Sequence, residues 1–230
     1  MTVTLGFDVE EFDFPLERGR GIDFGTQLAV SSEGLEFLLD LLARLELRAT
    51  FYTTANFALH RTDLVRRIVA GGHEVASHDY YHGLAAASSA ALAAAGYRYN
   101  SSINPTWIPT RYNNLRAPCS VSREEGLTIY PVSVSAPFRV PLFWISLHVM
   151  PLPLYKLLCR SALRRDGHLN LYFHPWEFSA RLREPAFGVP GYLTHCSGTD
   201  LQRKFIRLLE WLKARGCRFL TTREYLGCDE

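Results

Sequence analysis

Short apolar runs that suit β-strands alternate along this chain with amphipathic stretches that suit helices. This alternation constrains the fold more than any other feature. A strand separated from the next by a helix pairs with it in parallel, as a βαβ unit. Strands are expected at 2–7, 49–53, 73–77, 97–103, 127–135, 169–173 and 218–220. A helix capped by Ser31 or Ser32 presents Leu35, Leu38, Leu39 and Leu42 on one face. A second runs over 62–70 and stops at Gly71-Gly72. Others are expected at 84–95, which is Ala-rich, at 154–164, and at 200–215, capped by Asp200 and stopped by Gly216. Residues 104–122 are polar and punctuated by proline, and read as a long loop. The whole chain, 1–230, is expected to form one α/β domain with a parallel sheet or barrel, and chemistry sits where such strands end.

Composition narrows the function. Hydrophobic residues make up 47% and charged residues 21%, enough to bury a core. The net charge is +2 and the basic residues are scattered, which argues against a nucleic-acid surface. The five cysteines are odd in number and lack a CxxC pair, so neither a disulfide framework nor a zinc-cysteine site is expected. No basic segment followed by an apolar one opens the sequence, and a cytoplasmic location is expected. The longest apolar stretch, 140–158, is broken by Pro141, His148, Pro151, Pro153 and Lys156, which argues against a membrane span. With Arg160, Arg164 and Arg165 after it, that stretch suits either peripheral contact with a membrane face or a buried loop and helix.

Three clusters follow expected strands: Asp8-Val9-Glu10-Glu11, His78-Asp79-Tyr80-Tyr81-His82, and His174-Pro175-Trp176-Glu177. A parallel barrel would bring all three to one face. His78 and His82, spaced i, i+4, can chelate one ion if that turn is helical. Glu10 or Glu11 can supply a carboxylate, completing a two-histidine, one-carboxylate set with open positions. Asp8 would then stand as a general base, and His174 as an acid for the leaving group. Each cluster alone has a plain structural reading, as a solvated turn or a helix start. Their joint placement favours a metal site.

The order FDVEE, ATFY, GGHEVASHDYYH, GYRYNSS and LNLYFHPWEF resembles the polysaccharide deacetylase (NodB homology) superfamily, in its D-x-[DE] and HPWE branch. The resemblance runs over about residues 3 to 225. It implies an irregular, shortened (β/α) barrel and a hydrolase that removes N- or O-acyl groups from sugars with one divalent metal, zinc first and Co, Fe, Mn or Ni as substitutes. By the same resemblance Asp8 is the base and His174 the acid. Glu10, with Glu11 as its competitor, joins His78 and His82 as metal ligands. A backbone N–H near Tyr80 or Tyr81 helps hold the oxyanion, and Leu171 and Trp176 shape the acyl pocket. Base and acid are expected on opposite sides of the bond cut. The resemblance fails at one place: the family's Arg-x-Pro unit, whose arginine orients the base, is missing before GYRYNSS. Arg116-Ala117-Pro118 spells that motif later in the chain, as a spatial substitute or a loop arginine near the cleft. Arg98 can point either way.

The missing unit leaves three readings: a naturally short barrel, a chain that has been cut, or a degenerate and inactive member. A short barrel exposes sheet edges, which invites a homodimer. Trp107, Tyr112, Trp144 and Trp176 can stack on sugar rings or pack the core. The leading expectation is an N-acyl (acetyl or formyl) amino-sugar deacylase acting on a glycan or a lipid-linked or nucleotide-linked precursor. Its rivals are a silent carbohydrate-binding scaffold and a hydrolase of non-sugar amides.

Overall fold

A computed structural model describes residues 1–78, 89–108 and 112–228. The elements in chain order begin with β1 (Thr2–Val9), α1 (Phe24–Leu45), β2 (Thr50–Thr53), α2 (Ala55–His60), α3 (Thr62–Ala70) and β3 (Glu74–Ser77). Then come α4 (Ser89–Ala94), β4 (Tyr99–Asn100), β5 (Trp107–Ile108), β6 (Tyr112–Asn113), β7 (Ser122–Glu124) and β8 (Leu127–Ile129). The chain continues with α5 (Trp144–Val149), α6 (Leu152–Asp166), β9 (His168–Phe173), α7 (Gly191–Thr194), α8 (Thr199–Ala214), β10 (Arg218–Leu220) and α9 (Thr222–Leu226).

β1 is the hub. It pairs in parallel with β9 over Thr2–Phe7. Its other edge is shared: Thr2, Val3 and Thr4 pair with β10, and Gly6 to Val9 pair with β2. β2 pairs in parallel with β3. The sequence of β1 alternates without exception. Val3, Leu5, Phe7 and Val9 are fully buried apolar residues, as are Leu169, Leu171 and Phe173 of β9. They pack toward the helices, where Phe7 meets Phe51, Phe173 and Phe205 at centroid distances of 5.1, 6.3 and 6.2 Å. Each such side chain contributes roughly 1.5–3 kcal/mol by leaving water.

The other face of these strands is polar and bonded. The Thr4 hydroxyl lies 2.9 Å from the Tyr130 hydroxyl, and the Asn170 amide donates to Ser101 Oγ at 3.0 Å and to the Pro131 carbonyl at 3.1 Å. Thr50 donates to Glu74 Oε2 at 2.8 Å. The inner face is therefore a polar, satisfied interior rather than a second core.

A second sheet joins β4 to β8 in parallel and β8 to β7 antiparallel. Beyond β8 the extended chain reaches β9, where Ser133 N–H donates to the Asn170 carbonyl at 3.0 Å. Between β3 and β4, among the described residues, no backbone bond closes the wall. Two tyrosines span it instead: Tyr97 donates to Ser77 Oγ at 3.1 Å, and Tyr99 to Glu74 Oε1 at 2.8 Å. The fold is a mixed α/β one with a parallel sheet.

Several local expectations shift. α1 starts at Phe24, not beside Ser31 or Ser32, because Asp23 caps it: Oδ1 accepts from Thr26 N–H at 2.9 Å, and those bonds hold the Asp23 carboxyl below its usual range. The expected strand over 97–103 is a two-residue strand, and the long loop contains the small hairpin of β5 and β6. Asp200 lies in the first turn of α8 and pairs with Arg183 and Arg203 rather than capping the helix. The apolar stretch forms α5 and the start of α6; Leu142, Phe143, Trp144 and Leu147 are buried, while Val149, Leu154 and Leu157 are exposed. No helix among the described residues is long and apolar enough to cross a membrane.

Candidate active site

The C-terminal ends of β1, β3 and β9 converge. Phe7 pairs with Phe173, so the next residues on these neighbouring strands, Asp8 and His174, are brought side by side. His174 Nε2 lies 3.8 Å from Asp8 Oδ2 and 3.9 Å from Glu10 Oε1. Across the site His78 Nε2 lies 3.2 Å from Glu10 Oε2. Asp8 and His174 therefore adjoin one another, where the sequence reading set them across the bond to be cut. Parallel strand spacing of about 4.8 Å is the reason.

The structure separates Glu10 from Glu11. Glu10 is buried beneath the site and accepts from the indole N–H of Trp176 at 3.2 Å. Glu11 turns the other way, where the Thr54 hydroxyl donates to it at 3.3 Å. His82, Tyr80 and Tyr81 lie outside the described residues, so the expected third ligand and oxyanion donor are not placed. Among the described residues no group of three metal-ligating side chains forms.

His174 is held from three sides. Its backbone N–H donates to Glu177 Oε1 at 2.5 Å, and its Nδ1 lies 2.9 Å from the same oxygen. Trp176 stacks on the ring at 4.8 Å, and Trp144 meets it edge-on at 5.1 Å. Burial works to lower the His174 pKa, but the bond to Glu177 and the negative charge of Glu10, Glu177 and Asp8 outweigh it and raise the pKa above its ordinary value. For Glu177, burial pushes the carboxyl up, while bonds to His148 and His174 bring it below its ordinary range. Sequence reasoning quoted Glu177 inside HPWE but gave it no role, and saw His148 only as an interruption of an apolar run. No local signal joins residues so far apart.

The HPWE turn is pinned from behind by α1. Gly34 sits against Pro175 so closely that an added Cβ would lie 1.7 Å from the Pro175 carbonyl oxygen. Glu33 accepts from Ser179 Oγ at 2.7 Å and from Ala180 N–H at 2.9 Å.

Asp8 and His78 line a cavity of about 530 Å³ that opens along the gap between β3 and β4. Tyr52, Tyr99, Tyr172, Arg98 and Arg223 also line it. Two expected substrate contacts are corrected. Leu171 is fully buried and sits on the helix side of β9, because it alternates with Tyr172, the residue that lines the cavity. Arg116 is exposed, on the turn after β6 closed by the Ala117 N–H to Asn114 carbonyl bond, and is absent from the cavity wall. Trp176 is buried beneath His174 and Glu10 rather than in that wall. Trp107 is exposed and Trp144 buried.

Comparison with known proteins now adds to this geometry. Residues 22–124 match the family model for polysaccharide deacetylase. A chitooligosaccharide deacetylase of Sinorhizobium fredii is 33% identical over 92 residues, which is 40% of this chain and 43% of that protein. The uncharacterized protein YlxY of Bacillus subtilis is 31% identical over 61 residues, 26% of this chain and 19% of that one. The chain thus spans less than half the length of the curated relatives it matches. Among solved structures, a putative polysaccharide deacetylase from Mycobacterium smegmatis aligns with a TM-score of 0.64 at 16% identity, over 97% of this chain and 88% of that one. The PuuE allantoinase aligns at 0.57 and 14% identity, over 97% and 88%. At such identities these two structures speak to the fold alone. Taken with the ordered motifs at the ends of β1, β3 and β9, the chain is similar to polysaccharide deacetylases over residues 22–124 and shares the fold of a solved structure named as one.

Proposed function

We propose that this protein is a metal-dependent deacylase that removes an N-acyl group, acetyl or formyl, from an amino sugar. One observation carries the reading: Asp8, Glu10, His78 and His174 come together, and two of them, Asp8 and His78, line a cavity large enough for a sugar. The name of the Sinorhizobium relative supports an acylated amino-sugar substrate.

The donor set suits a divalent ion such as zinc. Two ligands bound at about 2.0–2.1 Å in a tetrahedron stand roughly 3.3 Å apart. Glu10 Oε2 and His78 Nε2 are 3.2 Å apart, so both can face one ion, with His82 as the proposed third ligand. When bound, such an ion polarises the acyl carbonyl and acidifies water. Asp8 would serve as the base that takes a proton from the attacking water. His174 donates from Nε2 to the departing amine, since its Nδ1 is engaged by Glu177. Trp176 fixes the Glu10 carboxylate and covers one face of the His174 ring, excluding water from both.

The finer substrate is part of the proposal. A lipid-linked glycan, met at a cytoplasmic membrane face, is supported by the exposed face of α6, which carries Leu154 and Leu157 beside Arg160 and Arg164.

The test measures bound metal together with acetate and formate release from a panel of N-acylated amino sugars, for wild type and Asp8→Asn. About one metal per chain, with release lost in Asp8→Asn, supports the reading. Metal without release favours a silent sugar-binding scaffold. A chain that takes up no metal overturns the ligand assignment.

A further inference from the structure

His148 has no part in the chemistry above, yet it is among the most constrained side chains in the protein. It sits on α5 with its side chain wholly buried. Its Nδ1 is 2.9 Å from the Leu193 carbonyl oxygen, on α7. A carbonyl only accepts, so Nδ1 carries hydrogen and donates. Its Nε2 is 2.8 Å from Glu177 Oε2. Glu177 is itself fully buried, and its other oxygen accepts from the His174 backbone and faces the His174 ring.

Three side chains, His148, Glu177 and His174, thus form one line that ends on the Leu193 backbone carbonyl. His148 sits between two oxygens, the Leu193 carbonyl and the Glu177 carboxylate, and bridges α7 to the HPWE turn. Remove it, and one oxygen of a fully buried carboxylate loses its partner. A carboxylate in that state neutralises or turns away, because an unpaired buried charge is costly. Either outcome frees the His174 ring from the oxygen that holds its Nε2 toward Asp8 and Glu10.

We infer that His148 is a positioning residue for the reaction, holding the Glu177 carboxylate in place so that Glu177 can hold His174. The inference rests on the reading of His174 as proton donor. A buried histidine of merely structural use would need no second acceptor and no link to the site. Trp144, edge-on to both His148 and His174, packs the line from the side.

The experiment has two arms. In the first, His148→Phe and His148→Gln are compared with wild type for acyl release at equal metal content. His148→Phe is expected to lower kcat about 10- to 100-fold with KM nearly unchanged, as loss of orientation does. His148→Gln, whose amide can still donate to Glu177, is expected to recover most of that loss. A folded His148→Phe with wild-type kcat overturns the inference, as does a Gln variant no better than Phe. The second arm needs no activity and no folded variant. Nitrogen NMR of the wild-type imidazoles should show a hydrogen-bonded proton between His148 Nε2 and the Glu177 carboxylate, and another between His174 Nδ1 and the same carboxylate. No such proton at His148 Nε2 overturns the inference. If wild type releases no acyl group from any sugar, the deacylase reading fails, and this second arm still decides the His148–Glu177–His174 line.

Discussion

The two sides of the candidate site are built differently. On the β1–β9 side, two adjacent strands in continuous register bring Asp8 and His174 together, and a buried line through Glu177 and His148 backs the histidine. On the β3–β4 side the wall is stitched by tyrosine hydroxyls, and His78 stands at the end of a four-residue strand beside the cavity. The first side presets geometry. The second borders the cavity. On the proposed reading, a site that holds two proton-transfer groups and takes in a sugar gains from having its rigid and its open walls apart.

The largest expected effect lies on the rigid side. Asp8→Asn should cut acyl release by about 10²–10⁴, the range for a lost general base, and leave metal content unchanged. Release that survives would move the base elsewhere. Next comes Gly34→Ala. Its Cβ would collide with the Pro175 carbonyl, so α1 or the HPWE turn must shift, at a cost of about 3 kcal/mol read by urea denaturation. Stability within about 0.5 kcal/mol of wild type would show that the contact yields freely. On the open side Tyr99→Phe removes one bond to Glu74 and should cost only about 1 kcal/mol, with the amides of β3 and β4 exchanging hydrogen faster while those of β1 and β9 do not. Equal acceleration on both sides would erase the contrast.

The smallest effect is a pH slope. Burial holds His73 and His168 below their ordinary pKa. With a folded pKa under the unfolded value near 6.5, the unfolded chain binds more protons in between. Their contribution to stability is therefore complete above about 6.5 and is lost as pH falls through the folded values. Melting temperature should decline between pH 7.5 and 5.5, and the double variant His73→Gln, His168→Gln should flatten that decline. An unchanged slope would remove both residues as its source.

Much of the fold was legible because it is local. The helix over 62–70 and the strand over 218–220 match their expected bounds, since a glycine stop and a short apolar run are signals carried by neighbouring residues. The start of α1 was not legible in the same way: Ser31 and Ser32 are good caps by type, but Asp23 lies ahead of them and the serines are buried within the helix. The strand over 97–103 was read too long because only two of its residues find a partner strand. At the site, motif spacing was enough to gather Asp8, Glu10, His78 and His174. It could not distinguish Glu10 from Glu11, a choice made by Trp176 and Thr54 on distant elements. Leu171 was assigned to the pocket by resemblance, and strand parity sends it to the helix side.

The shared edge of β1 bears on synthesis. β1 is translated before the strands it pairs with, and takes its neighbours from residues 50–53, 168–173 and 218–220. Until residues 168–174 have been translated, Asp8 has no His174 beside it, and until residues 218–220 follow, the amides of Thr2, Val3 and Thr4 have no strand on one side. A nascent chain must carry that unfinished parallel edge until residue 220 is made. Slow, non-local closure of that kind favours capture by chaperones and makes expression more sensitive to temperature than the finished stability alone would suggest.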